Sequence, residues 1–120
     1  MNCLKENRAL TPLDVSRGDT AATVLEIVTY RLAPGANRDA FLTSVQKIDG
    51  WLQERGTARQ RLLSESEDGT WTETVEWVSM EAAKAAAEDF PKVPEFAPIM
   101  QAIDEKSVTL RHETVRWRMN

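Results

Sequence analysis

The chain has 120 residues, one domain by length, with a formal net charge of −4 and one cysteine, Cys3. Its 15 Lys and Arg residues are scattered, which argues against the concentrated basic face that a nucleic-acid partner requires. A lone cysteine excludes an intrachain disulfide and a cysteine-based zinc site, and no run approaches the roughly 20 apolar residues that span a bilayer.

Residues 1–20 are polar and aperiodic, with turn signals at Thr11-Pro12 and Gly18-Asp19. They read as an N-terminal extension, either an arm on a neighbouring surface or a loose terminus. The folded domain is expected over residues 21–120. Charges at Lys5, Glu6, Arg8, Asp14 and Arg17 interrupt any apolar leader core, so a cytoplasmic protein without a membrane partner is the expectation.

The first strand is expected over Ala21–Leu32. Val24, Glu26, Val28 and Tyr30 share one face, and Leu25, Ile27, Thr29 and Arg31 the other. Large apolar residues on both faces imply that both are covered. Ala33-Pro34-Gly35 breaks the strand. Asn37 or Asp39 can then cap a helix running to about Arg55. Its apolar stripe is Phe41, Val45, Ile48 and Leu52; Gly50 suggests a bend or close packing, and Gly56 a left-handed stop.

Thr57–Glu65 reads as a second strand, with Arg59, Arg61 and Leu63 opposite Ala58, Gln60 and Leu62. Glu67-Asp68-Gly69 is a hairpin turn. The returning strand shows strict alternation: Trp71, Glu73, Val75 and Trp77 against Thr72, Thr74, Glu76 and Val78. Ser79 caps the second long helix, and Glu81 sits in its first turn. Its many alanines give high helix propensity and a slim surface, which lets the helix sit close to a sheet or leaves space beneath it. Pro91 and Pro94 interrupt it. A short helix over Pro94–Ile103 follows, with Phe96, Ile99, Met100 and Ile103 inward. The last strand, Ser107–Trp117, sets Val108, Leu110, His112 and Thr114 against Thr109, Arg111, Glu113, Val115 and Trp117.

The order β-α-β-β-α-β defines an α+β, ferredoxin-like arrangement: four antiparallel strands with two helices on one face. The uncovered face would carry Leu25, Ile27 and Val78, so a homodimer packed sheet to sheet is expected, with Arg31 and Glu76 pairing across the interface or at its rim. The alternative is a monomer covered by its own residues 1–20.

Glu26, Tyr30, Glu73 and His112 are in phase with the helix-facing set. Buried together, Glu26 and Glu73 would repel and one carboxyl pKa would rise, giving a general base with His112 or Tyr30 as partner. Trp71 and Trp77 could hold an aromatic ring by stacking. The competing reading is structural: His112 bonds a neighbour, Glu26 and Glu73 pair with Arg59 or Arg61 across strands, and the tryptophans fill the core. His112 and Glu113 face opposite ways and there is no second histidine, so no metal is expected.

Gly35 with Phe41-Leu42, Gly69-Thr70-Trp71, Val75 to Ala83, Pro94-Glu95-Phe96 and Ile103-Asp104 together resemble the antibiotic-biosynthesis-monooxygenase-like proteins of the dimeric α/β-barrel superfamily. The resemblance spans about Thr23 to Trp117. It implies a small-molecule pocket between the sheet and its own helices, lined by Trp77, and an activity that ranges across the superfamily from cofactor-independent oxygenation of aromatic polyketides to haem degradation. The haem-degrading branch carries an asparagine and a histidine where this chain has Val28 and Ala87, which argues against that activity. Of the Asn, Tyr and Trp of the quinone-forming oxygenases, Trp77 matches, and Tyr30 is a candidate substitute from another position.

These readings name His112, Glu73 and Tyr30 as candidate catalytic residues and Trp71, Trp77, Glu26 and Val28 as candidate substrate-binding residues, with no cofactor. The expected function is binding of an apolar or aromatic small molecule, with cofactor-independent monooxygenation as the candidate activity. A non-catalytic ligand-binding or regulatory module is the alternative, and a structural dimer with a filled core the third. A cavity lined by Trp77, His112 and Glu73 would separate the first two from the last.

Overall fold

A computed structural model describes residues 22–119; the expected extension over residues 1–20 lies outside the described residues. The chain runs β1 (Val24–Tyr30), α1 (Arg38–Val45), α2 (Ile48–Arg55), β2 (Ala58–Glu65), β3 (Trp71–Trp77), α3 (Met80–Asp89), α4 (Ala97–Gln101) and β4 (Thr109–Thr114). Short 3-10 turns at Phe90–Lys92, Pro94–Phe96 and Glu105–Ser107 join the later elements. The sheet order is β2-β3-β1-β4, with every neighbouring pair antiparallel. This is the four-stranded ferredoxin-like α+β fold that the element order implies.

Asn37 caps α1: its side chain accepts from the Ala40 N–H at 2.8 Å. Phe41, Val45, Ile48 and Leu52 are all buried, as their spacing requires. The single helix expected over 37–55 is nevertheless two. The Asp49 N–H donates to Gln46 O at 3.1 Å, not to Val45 O, so the chain tightens to three-residue bonds at the junction. Val45 O accepts instead from Arg61 Nη1 at 3.0 Å. An arginine from β2 thus stands in for the missing helical donor, and the sequence of the helix alone does not announce it. Gly50 is not the bend; a Cβ there would meet nothing within 4 Å. Gly56, at φ +71°, ends α2 as expected.

A second correction concerns β2. Ala58 pairs with Trp77 and Gln60 with Glu76, so Arg59 is an extra residue in a β-bulge. The bulge turns Ala58 onto the helix side, against the core, whereas simple alternation put it with Gln60 and Leu62. Beyond the bulge, Arg61 and Leu63 face the helices as alternation requires.

Ser79 caps α3 by accepting from the Ala82 N–H at 3.1 Å, and Ala83 and Ala86 are buried beneath it. Phe96 and Ile99 point inward, whereas Met100 is 36% exposed. The core lies between the sheet and the helices and includes Tyr30, Phe41, Trp71, Val75 and Trp77.

The opposite face is less apolar than expected. By register it carries Leu25, Ile27 and Thr29, then Thr72, Thr74 and Glu76, flanked by Leu62 on β2 and Arg111 on β4. Ile27 and Glu76 are buried, while Leu62 is 60% exposed. The two charges expected to pair with a second copy have partners in their own chain. The Arg118 guanidinium donates to the Glu76 carboxylate. Arg31 donates to Asp68 O at 2.7 Å and Thr70 Oγ1 at 3.2 Å in the hairpin.

Candidate functional site

The helix-facing rows of β1 and β3 bring Glu26, Val28 and Tyr30 beside Glu73, Val75 and Trp77. Above them α2, α3 and α4 do not close down completely. A pocket of about 290 Å³ remains, bounded by those residues, by Ile48, Trp51 and Leu52 of α2, by Ala86 and Ala87 of α3, and by Ile99 and Met100 of α4; Phe90, Val108 and Leu110 are also part of its wall. Alanine on α3 is the local cause: its methyl groups leave space that longer side chains would fill. The volume is at the low end of the roughly 300–1,000 Å³ of ligand pockets.

Glu26 is the most connected polar group on the wall. Its Oε1 accepts from Trp77 Nε1 at 2.9 Å, and His112 Nε2 lies 3.6 Å from the same oxygen. His112 is the cross-strand partner of Glu26, which fixes their approach. Burial pushes the Glu26 carboxyl above its ordinary pKa; the Trp77 bond and the His112 contact oppose this, and the charge of Glu73 adds to it. The expected rise therefore falls on Glu26, and desolvation, not carboxylate repulsion, is its leading cause.

Glu73 has a different setting. Its Oε2 accepts from Arg61 Nε at 2.7 Å, while Arg61 Nη1 donates to Asp49 Oδ1 at 2.8 Å as well as to Val45 O. The cross-strand pairing of Glu73 with Arg61 matches the structural alternative; Glu26 pairs with Trp77 and His112 rather than with an arginine. Arg61 Nη2 is buried with no partner among the described residues. Tyr30 is buried edge-on to Phe41, with centroids 6.0 Å apart. Burial, then the charge of Glu73, lifts its hydroxyl far above the usual tyrosine range, with Arg61 opposing, so it stands as a neutral donor.

Of the residues named from sequence, Glu26, Val28, Tyr30, Glu73 and Trp77 share the pocket wall. His112, expected in the cavity lining with Trp77 and Glu73, is not part of the wall; it lies across from Glu26 on β4, 3.6 Å from its Oε1. Trp71 is elsewhere, packed edge-on to Phe41 at 5.3 Å and beneath the Arg38 guanidinium at 5.8 Å. Trp51 and Phe90 form an aromatic wall that strand alternation does not find; their rings meet edge to face at 5.8 Å. The signal for Trp51 was the three-residue spacing from Ile48, which puts both on one helix face. Val28 and Ala87 both line the pocket as apolar groups. Among the described residues no group of three or more His, Cys, Asp or Glu side chains is placed to hold a metal ion.

No protein-family profile matches this chain, and no curated protein does. Solved structures do. SnoaB, a cofactor-independent oxygenase from Streptomyces nogalater, is 11% identical with a TM-score of 0.67, over 82% of this chain and 98% of that one. A Bordetella bronchiseptica protein provisionally named an antibiotic biosynthesis monooxygenase is 19% identical with a TM-score of 0.60, over 80% and 99% of the two chains. A dimeric ferredoxin-like protein from an uncultured marine organism is 11% identical with a TM-score of 0.62, over 82% and 92%. At such identities the likeness establishes the fold: this chain has the ferredoxin-like fold of the antibiotic-biosynthesis-monooxygenase-like proteins, as the resemblance in its sequence implies.

Proposed function

We propose that this protein binds an apolar or aromatic small molecule in the pocket between β1, β3 and the helices. The observation that carries the reading is the pocket itself: about 290 Å³ walled by Trp51, Trp77 and Phe90, with Glu26, Tyr30 and Glu73 as the polar groups. Large apolar walls with a few convergent polar groups are the signature of a ligand site, whereas a merely structural core packs to near-crystalline density. The test is a blocking variant. Ala87→Trp projects a large ring into the pocket from an exposed backbone position. Calorimetric titration with a neutral aromatic probe such as 1-naphthalenemethanol should show saturable binding to the parent protein and none to the folded variant. Equal binding by both would remove the site from this pocket.

A second reading is favoured by Glu26: cofactor-independent monooxygenation. A carboxylate in an apolar wall, held by Trp77 and backed by His112, is equipped to take a proton from an electron-rich ring methylene. The resulting carbanion reduces oxygen directly. Conversion of the CH2 to C=O with release of one water balances one O2 and needs no outside reductant. Glu73 and Tyr30 are the remaining polar groups that would touch such a substrate, and Val28 its apolar contact. Structural likeness to SnoaB supports the reading without assigning its substrate to this chain. Oxygen-electrode assays with hydroxylated tricyclic aromatics test it: turnover abolished by Glu26→Gln supports it, and turnover unchanged in that variant contradicts it.

We further propose that the face carrying Leu25, Ile27 and Leu62 self-associates about a two-fold axis. The 60% exposure of Leu62, one strand removed from buried Ile27 with Thr74 between them, supports this, as does the dimeric state of a protein of the same fold.

A further inference from the structure

The polar groups of the pocket carry no cation. Glu26 and Glu73 are carboxylic and Tyr30 is a phenol; no Lys, Arg, His, Asn, Gln, Ser or Thr side chain lines the wall among the described residues. The Trp77 indole N–H is already committed to Glu26 Oε1. Two guanidiniums stand outside the wall: Arg61 holds Glu73 through Nε and Asp49 and Val45 O through Nη1, and Arg55 lies over the Trp51 ring at 4.9 Å with Nη1 on Asp89 Oδ2. Each carboxylate is engaged through one oxygen, Oε1 of Glu26 and Oε2 of Glu73, which leaves the other oxygen of each without a protein partner among the described residues.

The register sets the geometry. Val28 pairs with Glu73 and Glu26 pairs with Val75, so the two carboxylates are diagonal neighbours on adjacent strands. Such neighbours lie roughly 7–8 Å apart at the backbone. An anion entering this space meets two carboxylates and, as a donor, the Tyr30 hydroxyl. A neutral hydroxyl satisfies a single acceptor. A protonated amine brings three donors and a positive charge to two carboxylates, and the rings of Trp77 and Phe90 beside them are surfaces that attract cations, as the Trp51 ring already does for Arg55 at 4.9 Å.

From this arrangement of acceptors within an aromatic wall, we propose that the ligand of this pocket is an organic amine cation joined to an aromatic or apolar body. The proposal rests on the reading of the pocket as a ligand site and does not depend on oxygen chemistry. Burial raises the Glu26 carboxyl, and an ammonium bound beside it would oppose that rise.

Three probes of nearly equal shape test the class: 1-naphthylmethylamine, which is protonated at neutral pH, 1-naphthalenemethanol and 1-naphthoate, each titrated calorimetrically at pH 7.5. The ammonium is expected to bind at least about tenfold tighter than the alcohol, with the carboxylate weakest. Glu26→Gln should reduce the ammonium's advantage over the alcohol by about tenfold, read as the ratio of the two affinities in the same variant. Glu73→Gln, which keeps the size of the side chain, serves as a second reduction in negative charge should the first variant fail to fold, and it should weaken the ammonium in the same direction. Alcohol and ammonium binding equally, or the carboxylate binding best, overturns the amine class while leaving the pocket as a site. Failure of all three probes overturns the ligand site, and the amine class with it.

Discussion

Trp77 donates its indole N–H to Glu26 across two adjacent strands at 2.9 Å, tying the most prominent ring of β3 to the carboxylate of β1 whose pKa burial raises. The bond holds both side chains to the pocket wall. Replacing Trp77 with Phe removes the donor and leaves the carboxylate less satisfied, at a cost of about 1–3 kcal/mol. The effect should depend on pH. Because the folded protein holds the Glu26 proton more tightly than the unfolded chain, stability falls as pH rises from the unfolded carboxyl pKa, 4.5, through the raised folded value. Without the Trp77 bond the folded value rises further, so the loss extends to higher pH. Urea denaturation of parent and Trp77→Phe between pH 4 and 8 measures it; parallel pH profiles would contradict this role.

Arg61 links three elements at once: Glu73 on β3, Asp49 on α2 and the last carbonyl of α1. Arg61→Met leaves Glu73 without its ion-pair partner and Val45 O without a donor. Destabilisation of roughly 3 kcal/mol is expected, the lower end for breaking a mostly buried pair. The double variant Arg61→Met/Glu73→Met should recover a large part of that loss. No recovery would mean that the stabilisation comes from the helix junction rather than from the ion pair.

Two substitutions on the first helical segment should act in opposite directions. Asn37→Ala removes the side-chain cap of α1 and should cost about 1 kcal/mol. Gly50→Ala adds a methyl group in open space within α2 and should stabilise by up to about 1 kcal/mol. Thermal unfolding by circular dichroism distinguishes them; a destabilising Gly50→Ala would show that the glycine has a contact or a bend to protect.

Leu62 tests the second sheet face. It projects there from β2 beyond the bulge and is 60% exposed in a single chain. Sedimentation velocity should find a dimer, and Leu62→Asp should shift it to monomer by placing a charge at the apolar contact. A parent protein that remains monomeric at high micromolar concentration would reject the proposed interface.

The elements of this fold were legible because each carries its own period. Alternation placed Glu26, Glu73 and Trp77 on one face, and helical spacing placed Phe41, Val45, Ile48 and Leu52 in the core. What escaped was set by contacts between elements. The break after Val45 depends on an arginine 16 residues later, and the face of Ala58 depends on one extra residue in β2. Trp71 and Trp77 are equivalent by alternation, yet only Trp77 meets the pocket, because Phe41 of α1 covers Trp71. The pairing of Glu73 with Arg61, and of Glu26 with Trp77 and His112, follows from strand register, which alternation in single strands leaves undetermined.

The central claim is that the space beneath α3 admits a ligand. The most direct measurement is a nitrogen–proton correlation spectrum of the protein titrated with 1-naphthalenemethanol, following the indole N–H signals. The signals of Trp51 and Trp77 should move together with one saturating dissociation constant, while that of Trp71, packed against Phe41, stays in place. Signals of Trp51 and Trp77 that remain unmoved at saturating probe, or equal movement of all three, would contradict it.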